Sequence, residues 1–374
     1  MPFLVQVGHE NSYLPELISN GDLEGAVLQV THGGPAGMAE LGRRGGLILV
    51  DPQTYKLADA SVRITEKMQS EPFVTLWPGA GELHQVTRRS SFVERTVERE
   101  LEMGATDVIS PYLFVEDVAG PALEGTLEMA EDCLRIVGRS KRVWAGVYVA
   151  GGELKRRPRR DQLLNSLTAS SIDHCYLIVD PEQAGNGPLA DEDLIRALRQ
   201  VVRVLEDNDV RVMLGYSDPV GLLLMGDGLS AFASGVRASL RRLRIAAQRR
   251  SGGPSRAPYA RYYVPQLMNF VRVDNELRPI LGRLSQGGAA VCRCGYCSGN
   301  LAPGAQFDSA NAHKHFIARL TEDARSLSAS NNQAAEVQRL IREAGDAYEL
   351  LDRAGITLSN DSGPDHVRVW NRAF

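Results

Sequence analysis

Lysine is nearly missing from this chain. Only five of its 42 basic residues are lysines, so arginine carries almost all the positive charge. Arginine forks suit phosphate oxygens, so clusters of this residue point to phosphate partners. Cysteine is scarce as well, five in 374 residues, and three of the five fall within six positions. That distribution excludes a disulfide framework and points to a reducing, cytoplasmic setting and a metal. No run of about 18 apolar residues occurs, which excludes a membrane-spanning helix. The opening stretch MPFLVQVGHENSYLP has no basic region followed by an apolar one, so no secretory signal is expected. No strand-like run is followed by GxGxxG or a P-loop, which argues against an open dinucleotide-binding sheet.

What is present alternates. From residue 25 onward, β-rich runs cover Ala26–Thr31, Gly46–Val50, Phe73–Trp77, Asp107–Phe114, Val143–Val149, Cys175–Val179, Val210–Tyr216 and Leu229–Gly235. Helical patterns separate them, such as Ser91–Met103, Ala122–Val137, Asp161–Ala169, Ala190–Asp207 and Gly235–Gln248. Strands alternating with helices predict a parallel sheet buried on both faces. Eight such units predict an α/β fold, a closed (β/α)8 TIM barrel over residues 1–250. Residues 251–258 (SGGPSRAP) read as a linker. Residues 259–374 then form a zinc-binding helical appendage, with helices expected around Val264–Leu284, His313–Leu327 and Ala334–Ala354.

Chemistry in such a barrel sits at the C-terminal ends of the strands. Thr31-His32, Asp51-Pro52-Gln53-Thr54, Glu116-Asp117, Asp180-Pro181 and Ser217-Asp218 follow the runs directly. Asp51 stands out because the run before it, GLILV, has no polar side chain. In the C-terminal region, Cys292, Cys294 and Cys297 have the CxC and CxxC spacing that lets three thiolates converge on one ion. A closed tetrahedral zinc site needs a fourth ligand, and either His313 or His315 can supply it. Such a closed site is structural. Cys133 and Cys175 fall on apolar faces and read as core residues.

Eight βα units followed by CxCxxC and a helical tail resemble the tRNA-guanine transglycosylase superfamily, the queuine and archaeosine transglycosylase fold with DNA-acting relatives. The resemblance implies a barrel with a zinc appendage, acting at an N-glycosidic bond. It implies that Asp51, in LVDPQT, matches the family aspartate that handles protons and the base. The family nucleophile, an aspartate on the last strand, aligns with Ala233 in GLSAFA. Ser110 occupies the region of the guanine-reading aspartate, and IVDP at 178–181 replaces the glycine-rich base-binding strand.

These departures favour hydrolysis over base exchange. Exchange needs a carboxylate that holds the sugar covalently, and alanine cannot do so. Water attack needs only a carboxylate that orients the water and stabilises positive charge. The expectation is a divergent member, a DNA glycosylase releasing a modified base, such as the glucosylated hydroxymethylcytosine of phage DNA met in antiviral defence. The alternatives are a transglycosylase inserting a 7-deazaguanine into DNA or tRNA, with Asp218 or Asp227 as a displaced nucleophile, and a non-catalytic binding subunit.

The formal charge of −4 would argue against a nucleic-acid partner if it were evenly spread. Instead Lys155, Arg156, Arg157, Arg159 and Arg160 form one run, Arg88-Arg89 and Arg43-Arg44 form pairs, and Arg241, Arg242, Arg244, Arg249 and Arg250 follow the last strand. The run at 155–160 and both pairs are expected on the barrel's C-terminal face, suited to nucleic acid, with DNA favoured over tRNA. Trp77, Tyr112, Asp180 and Tyr216 are the expected base pocket, with Phe114 and Tyr148 nearby. No membrane partner is expected, and a homodimer stays open.

Overall fold

Parallel strands buried on both faces set the architecture. The computed structural model describes residues 2–8, 11–32, 34, 37–62, 64–249, 259–285, 292, 294–297 and 307–374. The strands are β1 Phe3–Val7, β2 Gly25–Gln29, β3 Leu47–Asp51, β4 Val108–Ile109, β5 Phe114–Val115, β6 Val143–Ala150, β7 His174–Asp180, β8 Arg211–Leu214 and β9 Ala231–Ser234. β1 pairs in parallel with β2 and with β9, which sets the first and last strands of the barrel side by side. β4 and β5 are two short pieces that both pair with β6. At the seam between β3 and β4, Thr106 replaces a ladder. Its N–H donates to the Ile48 carbonyl at 2.8 Å, and its hydroxyl accepts from the Ile48 N–H at 2.8 Å. The result is a nearly closed parallel barrel of eight strand positions.

The interior is filled by tyrosine rings lying on glycines. A Cβ on Gly146 would lie 2.4 Å from Tyr112 Cδ1, and one on Gly215 would lie 2.5 Å from Tyr176 Cζ. Only glycine lets those rings pass, so the middle of β6 and the end of β8 are shaped by the side chains opposite them. Tyr55, Tyr148 and Tyr216 join the same interior cluster.

The strand count agrees with the sequence reading, but three assignments change. The first barrel strand is Phe3–Val7, ahead of residue 25. The run Phe73–Trp77 is not a strand. It forms a 3-10 turn, Val74–Leu76, and Trp77 packs edge-on against Phe92 of helix Val86–Glu102 at 5.0 Å. Pro72 and Pro78 flank this run, and proline cannot donate to a sheet ladder. The stretch expected as one helix, 264–284, is an antiparallel hairpin, β10 Arg261–Val264 and β11 Asn269–Arg272, followed by a helix at Leu277–Leu284. The linker expected at 251–258 lies outside the described residues.

The C-terminal helices continue the barrel wall. Helix Ser309–Ser328 packs on β1, β10 and helix Leu14–Asn20. Its Thr321 hydroxyl donates to the Asp22 carbonyl at 2.9 Å, and Arg325 pairs with Glu24 at 2.6 Å. Helices Gln333–Arg353 and Asp365–Ala373 pack on each other, and the latter reaches the barrel helix Glu192–Asp207. Trp370 Nε1 donates to the Leu189 carbonyl at 2.9 Å. Residues from both parts of the chain share one apolar cluster. No helix among the described residues is long and apolar enough to cross a membrane.

His366 links the last helix to the hairpin. Its Nε2 meets the Leu267 carbonyl at 3.1 Å, and its ring stands edge-on to Trp370 at 4.6 Å. Burial pulls its pKa from 6.5 down to about 4. The folded state therefore needs the neutral ring. The contribution is present above pH 6.5 and is lost as pH falls toward 4, on the order of 3 kcal/mol at full effect. His366→Gln keeps a donor for Leu267 and cannot titrate. The wild-type Tm should fall more steeply than the variant's between pH 6.5 and 4; parallel curves would show that His366 does not set the acid limit.

Candidate active site and metal centre

Strand β3 ends on Asp51 because Pro52 has no N–H to extend the ladder. The chain then turns sharply: Gln53 has φ +52° and points its N–H at Asp51 Oδ1, 3.0 Å away. Tyr112 donates its hydroxyl to the same oxygen at 2.7 Å. Tyr216 donates to Oδ2 at 2.6 Å. Tyr216 sits just past β8 with φ +49°, a left-handed backbone unusual for a bulky residue. Strained non-glycine residues of this kind collect at functional sites. The Tyr216 hydroxyl also receives hydrogen bonds from Gln53 Nε2 at 3.0 Å and Gln29 Nε2 at 3.2 Å. Asp51 is completely buried.

Burial pushes the Asp51 pKa up, and the hydrogen bonds from Tyr216, Tyr112 and the Gln53 N–H, with the nearby Lys56 charge, oppose that rise. All three hydrogen-bond partners donate, which suits the ionised carboxylate. Lys56 donates to Gln53 Oε1 at 2.7 Å, and burial pulls its ammonium pKa down. A cavity of about 660 Å³ opens above this group, lined by Gln29, His32, Gln53, Tyr55, Lys56 and Arg237, among others. A second cavity, about 540 Å³, lies across the mouth against Phe114, Arg156, Asp180 and Arg244.

The structure brings Asp51, Tyr112 and Tyr216 into one network and places Asp180 at the same end of the barrel. Asp180 accepts from Glu182 N at 2.9 Å and from Ile245 N at 2.8 Å. It does not bring Trp77 there; that ring belongs to the outer helix layer. Asp218 is near the mouth but committed to backbone. It accepts from Leu189 N at 2.6 Å and Val220 N at 2.9 Å, which ties the end of β8 to the loop after β7. Asp227 precedes β9 and so lies at the opposite, N-terminal end. It is gripped there by Arg199 at 2.7 Å and by Arg203.

The arginines divide in the same way. Arg89 is buried and pairs with Glu128 at 2.6 Å and Asp132 at 2.9 Å, joining two outer helices. Arg88 is exposed and pairs with Glu82. Arg43 and Arg44 precede β3, so they lie at the N-terminal end, where both meet Glu40. Arg241 is buried and donates to the carbonyls of Gly235 and Val236. Lys155–Arg160 follow β6 and stay at the C-terminal end. Each of these five basic residues has a near partner: Lys155 with Asp191, Arg156 with Glu153, Arg157 with Asp161, Arg159 with Asp117, and Arg160 with the Leu154 carbonyl. The Arg157–Asp161 pair is exposed and contributes little, which leaves Arg157 available to a stronger anion, whereas Arg156 pairs with the buried Glu153. The sequence reading missed Gln6, Gln29, Tyr55, Lys56 and Tyr176. Their signal was the FLVQV strand pattern at the start of the chain and the short spacing of Tyr55 and Lys56 from Asp51.

Cys292, Cys294, Cys297 and His315 converge, with their donor atoms all within 4.8 Å of one another. His315 Nδ1 lies 3.5, 3.3 and 3.0 Å from the three sulfurs in chain order. A tetrahedral zinc would space such donors by about 3.5–3.8 Å, given its bond lengths. His315 Nε2 meets the Tyr263 carbonyl at 2.9 Å. That contact puts the proton on Nε2 and leaves the Nδ1 lone pair facing the thiolates, as in a histidine that binds a metal through one ring nitrogen while a carbonyl holds the other. The donor set fits a metal ion such as zinc. Tyr262 stacks on the His315 ring at 4.6 Å and meets Cys297 Sγ at 2.9 Å. His313 is not part of the cluster; its ring stands edge-on to Tyr13 at 5.6 Å. Cys133 and Cys175 are buried core thiols.

Tyr296, inside the cysteine loop, donates to Asp22 at 2.7 Å and accepts from Asn20 at 2.8 Å. The cluster is thereby pinned to the turn before β2. Elemental analysis should find one zinc per chain, and Cys294→Ser should lose it and lower both Tm and solubility, because a closed site contributes folding energy directly. Metal-free protein with unchanged Tm in both forms would contradict this.

No family model matches the chain, and no curated protein matches it.

Proposed function

We propose that this barrel is a nucleic-acid enzyme that hydrolyses an N-glycosidic bond, a DNA glycosylase that releases a modified base and leaves an abasic site. The observation that carries the reading is Asp51, a carboxylate held by three donors at the C-terminal end of a parallel barrel, beneath a polar cavity. The interior face of β9 supports hydrolysis over exchange. It carries Ala231 and Ala233, and no carboxylate there can hold the sugar covalently. Asp218 and Asp227 are both engaged elsewhere.

In this reading the bond between C1′ and the base nitrogen breaks with its electron pair leaving on the base. Lys56 faces the cavity with a lowered pKa and gives that base its proton. The Asp51 charge, relayed through Tyr216 and Gln53, favours the positive charge developing on the sugar. Water adds to C1′ and its proton is lost to solvent. The Lys155–Arg160 run lies at the same end of the barrel and suits phosphates on either side of an extruded nucleotide. The glucosylated hydroxymethylcytosine of phage DNA is one candidate base, which would place the enzyme in antiviral defence. A non-catalytic DNA-binding barrel is the second reading, favoured by the complete burial of Asp51.

Two measurements test these readings. DNA carrying modified bases is incubated with the protein and assayed for abasic sites. Asp51→Asn should lower base release by about 10²–10³ while DNA affinity persists, with a lower Tm because its amide nitrogen faces a buried donor. Equal release by wild type and variant would remove Asp51 from the chemistry, and DNA binding with no release from any substrate would favour the second reading. Replacing Arg156, Arg157, Arg159 and Arg160 with alanine should weaken DNA binding and flatten the salt dependence by roughly 0.9 in log–log slope per lost phosphate contact. An unchanged affinity and slope would place the DNA elsewhere.

A further inference from the structure

The two cavities at the barrel mouth are separated by one piece of chain. After β9 the chain forms a turn of helix at Ala238–Arg241 and then crosses the mouth to a second short helix, Ile245–Arg249. Leu243 and Gln248 line the first cavity, and Ile245, Ala246 and Ala247 line the second. Leu243 and Ile245 belong to the interior cluster with Tyr55, Tyr148 and Tyr176. The crossing segment is therefore a plug, inserted from above into the barrel.

Its chemistry does not match what it covers. The floor beneath it is polar. Gln6 Nε2 and Tyr55 Oη are buried and have no hydrogen-bond partner among the described residues. Gln6 Oε1 does accept from Tyr176 at 3.2 Å, so the amide is held with its donor end open. Buried donors left unmatched are costly, and apolar side chains of a plug cannot satisfy them. A ligand with acceptor atoms could.

The root of the plug packs into the barrel, and its span is held by two buried apolar side chains, Leu243 and Ile245, and a few polar links. Leu240 fills the space over Gly8 and Gly235, where a Cβ would come within 3.0 and 2.4 Å of it. Arg241 is buried on the Phe270 ring at 3.6 Å. Beyond Arg242, the links that hold the span include Ile245 N to Asp180 at 2.8 Å, Arg244 to the Gln183 carbonyl at 3.2 Å, and Arg249 to Asp59 at 2.7 Å. Arg249 also lies 3.7 Å from Glu116.

We infer that residues 243–249 are a movable plug that a ligand displaces, merging the two cavities into one site floored by Gln6, Tyr55, Tyr148 and Tyr176. The ligand class is a planar polar ring, which stacks on the tyrosines and offers acceptors to Gln6 and Tyr55. Taking that ring to be a nucleobase rests on the function proposed above; the displacement of the plug does not. A closed plug lowers apparent affinity by the fraction of molecules that are open.

Hydrogen exchange on the full chain tests this, together with binding of two probes: a mixture of the four deoxynucleosides, and a single-stranded 20-mer of the four standard bases. Arg249→Ala removes the distal link, and Leu243→Ser/Ile245→Ser removes the apolar anchors. Amides 243–249 should exchange at least tenfold faster in either variant while β6 and β7 stay protected. The double variant should bind both probes about tenfold more tightly than wild type. Tighter binding of deoxynucleosides without tighter binding of the 20-mer supports the plug and counts against the nucleic-acid reading. Amides 243–249 as protected as β6 and β7 in both variants would overturn the plug, and so would faster exchange with no gain for either probe.

Discussion

The Asp51 carboxylate and the three donors around it are the constraint on which the barrel mouth depends. Tyr112 reaches it only because Gly146 lets the ring cross β6. Tyr216 reaches it only from a left-handed backbone. Gln53 must also turn through positive φ to present its N–H. A buried negative charge that is this costly to desolvate persists because several elements converge to satisfy it. The same convergence orients the groups above it: Gln29 and Gln53 point at Tyr216, and Lys56 points at Gln53.

The C-terminal region serves this barrel as part of its wall. Helix Ser309–Ser328 covers β1, and the same helix supplies His315 to the cysteine cluster. Tyr296 then ties the cysteine loop to Asp22, next to the start of β2. A metal held there would order the helix that closes the outer layer over the first strand, far from the mouth. Its contribution would be to stability, and the chemistry proposed above lies at the other end of the strands.

Much of the frame was legible in the sequence because its signals are local. The CxCxxC spacing identifies three ligands without any tertiary knowledge. The choice between His313 and His315 was not legible, since residues two apart point to nearly opposite sides of a helix and either side can face the thiolates. Asp51 was legible because it ends an apolar strand. Its partners were not, because Tyr112 and Tyr216 lie 61 and 165 residues away. The strand at Phe3–Val7 was missed because a short apolar run at the start of a chain has no neighbouring pattern to phase it. Phe73–Trp77 was mistaken for a strand because its composition is β-like, while Trp77 gains more by packing on Phe92. The plug at 243–249 was hidden inside an apparently regular helical pattern, 235–248, that the fold breaks at Arg242–Arg244.

In the proposed function, the mouth above Asp51 breaks an N-glycosidic bond with water. Mass spectrometry of the small molecules released from base-modified DNA tests it most directly, counted against the abasic sites left in the same DNA. The account predicts one free base for each abasic site, with no added base incorporated. DNA that is bound but releases no base, or that exchanges its base without leaving an abasic site, would contradict it.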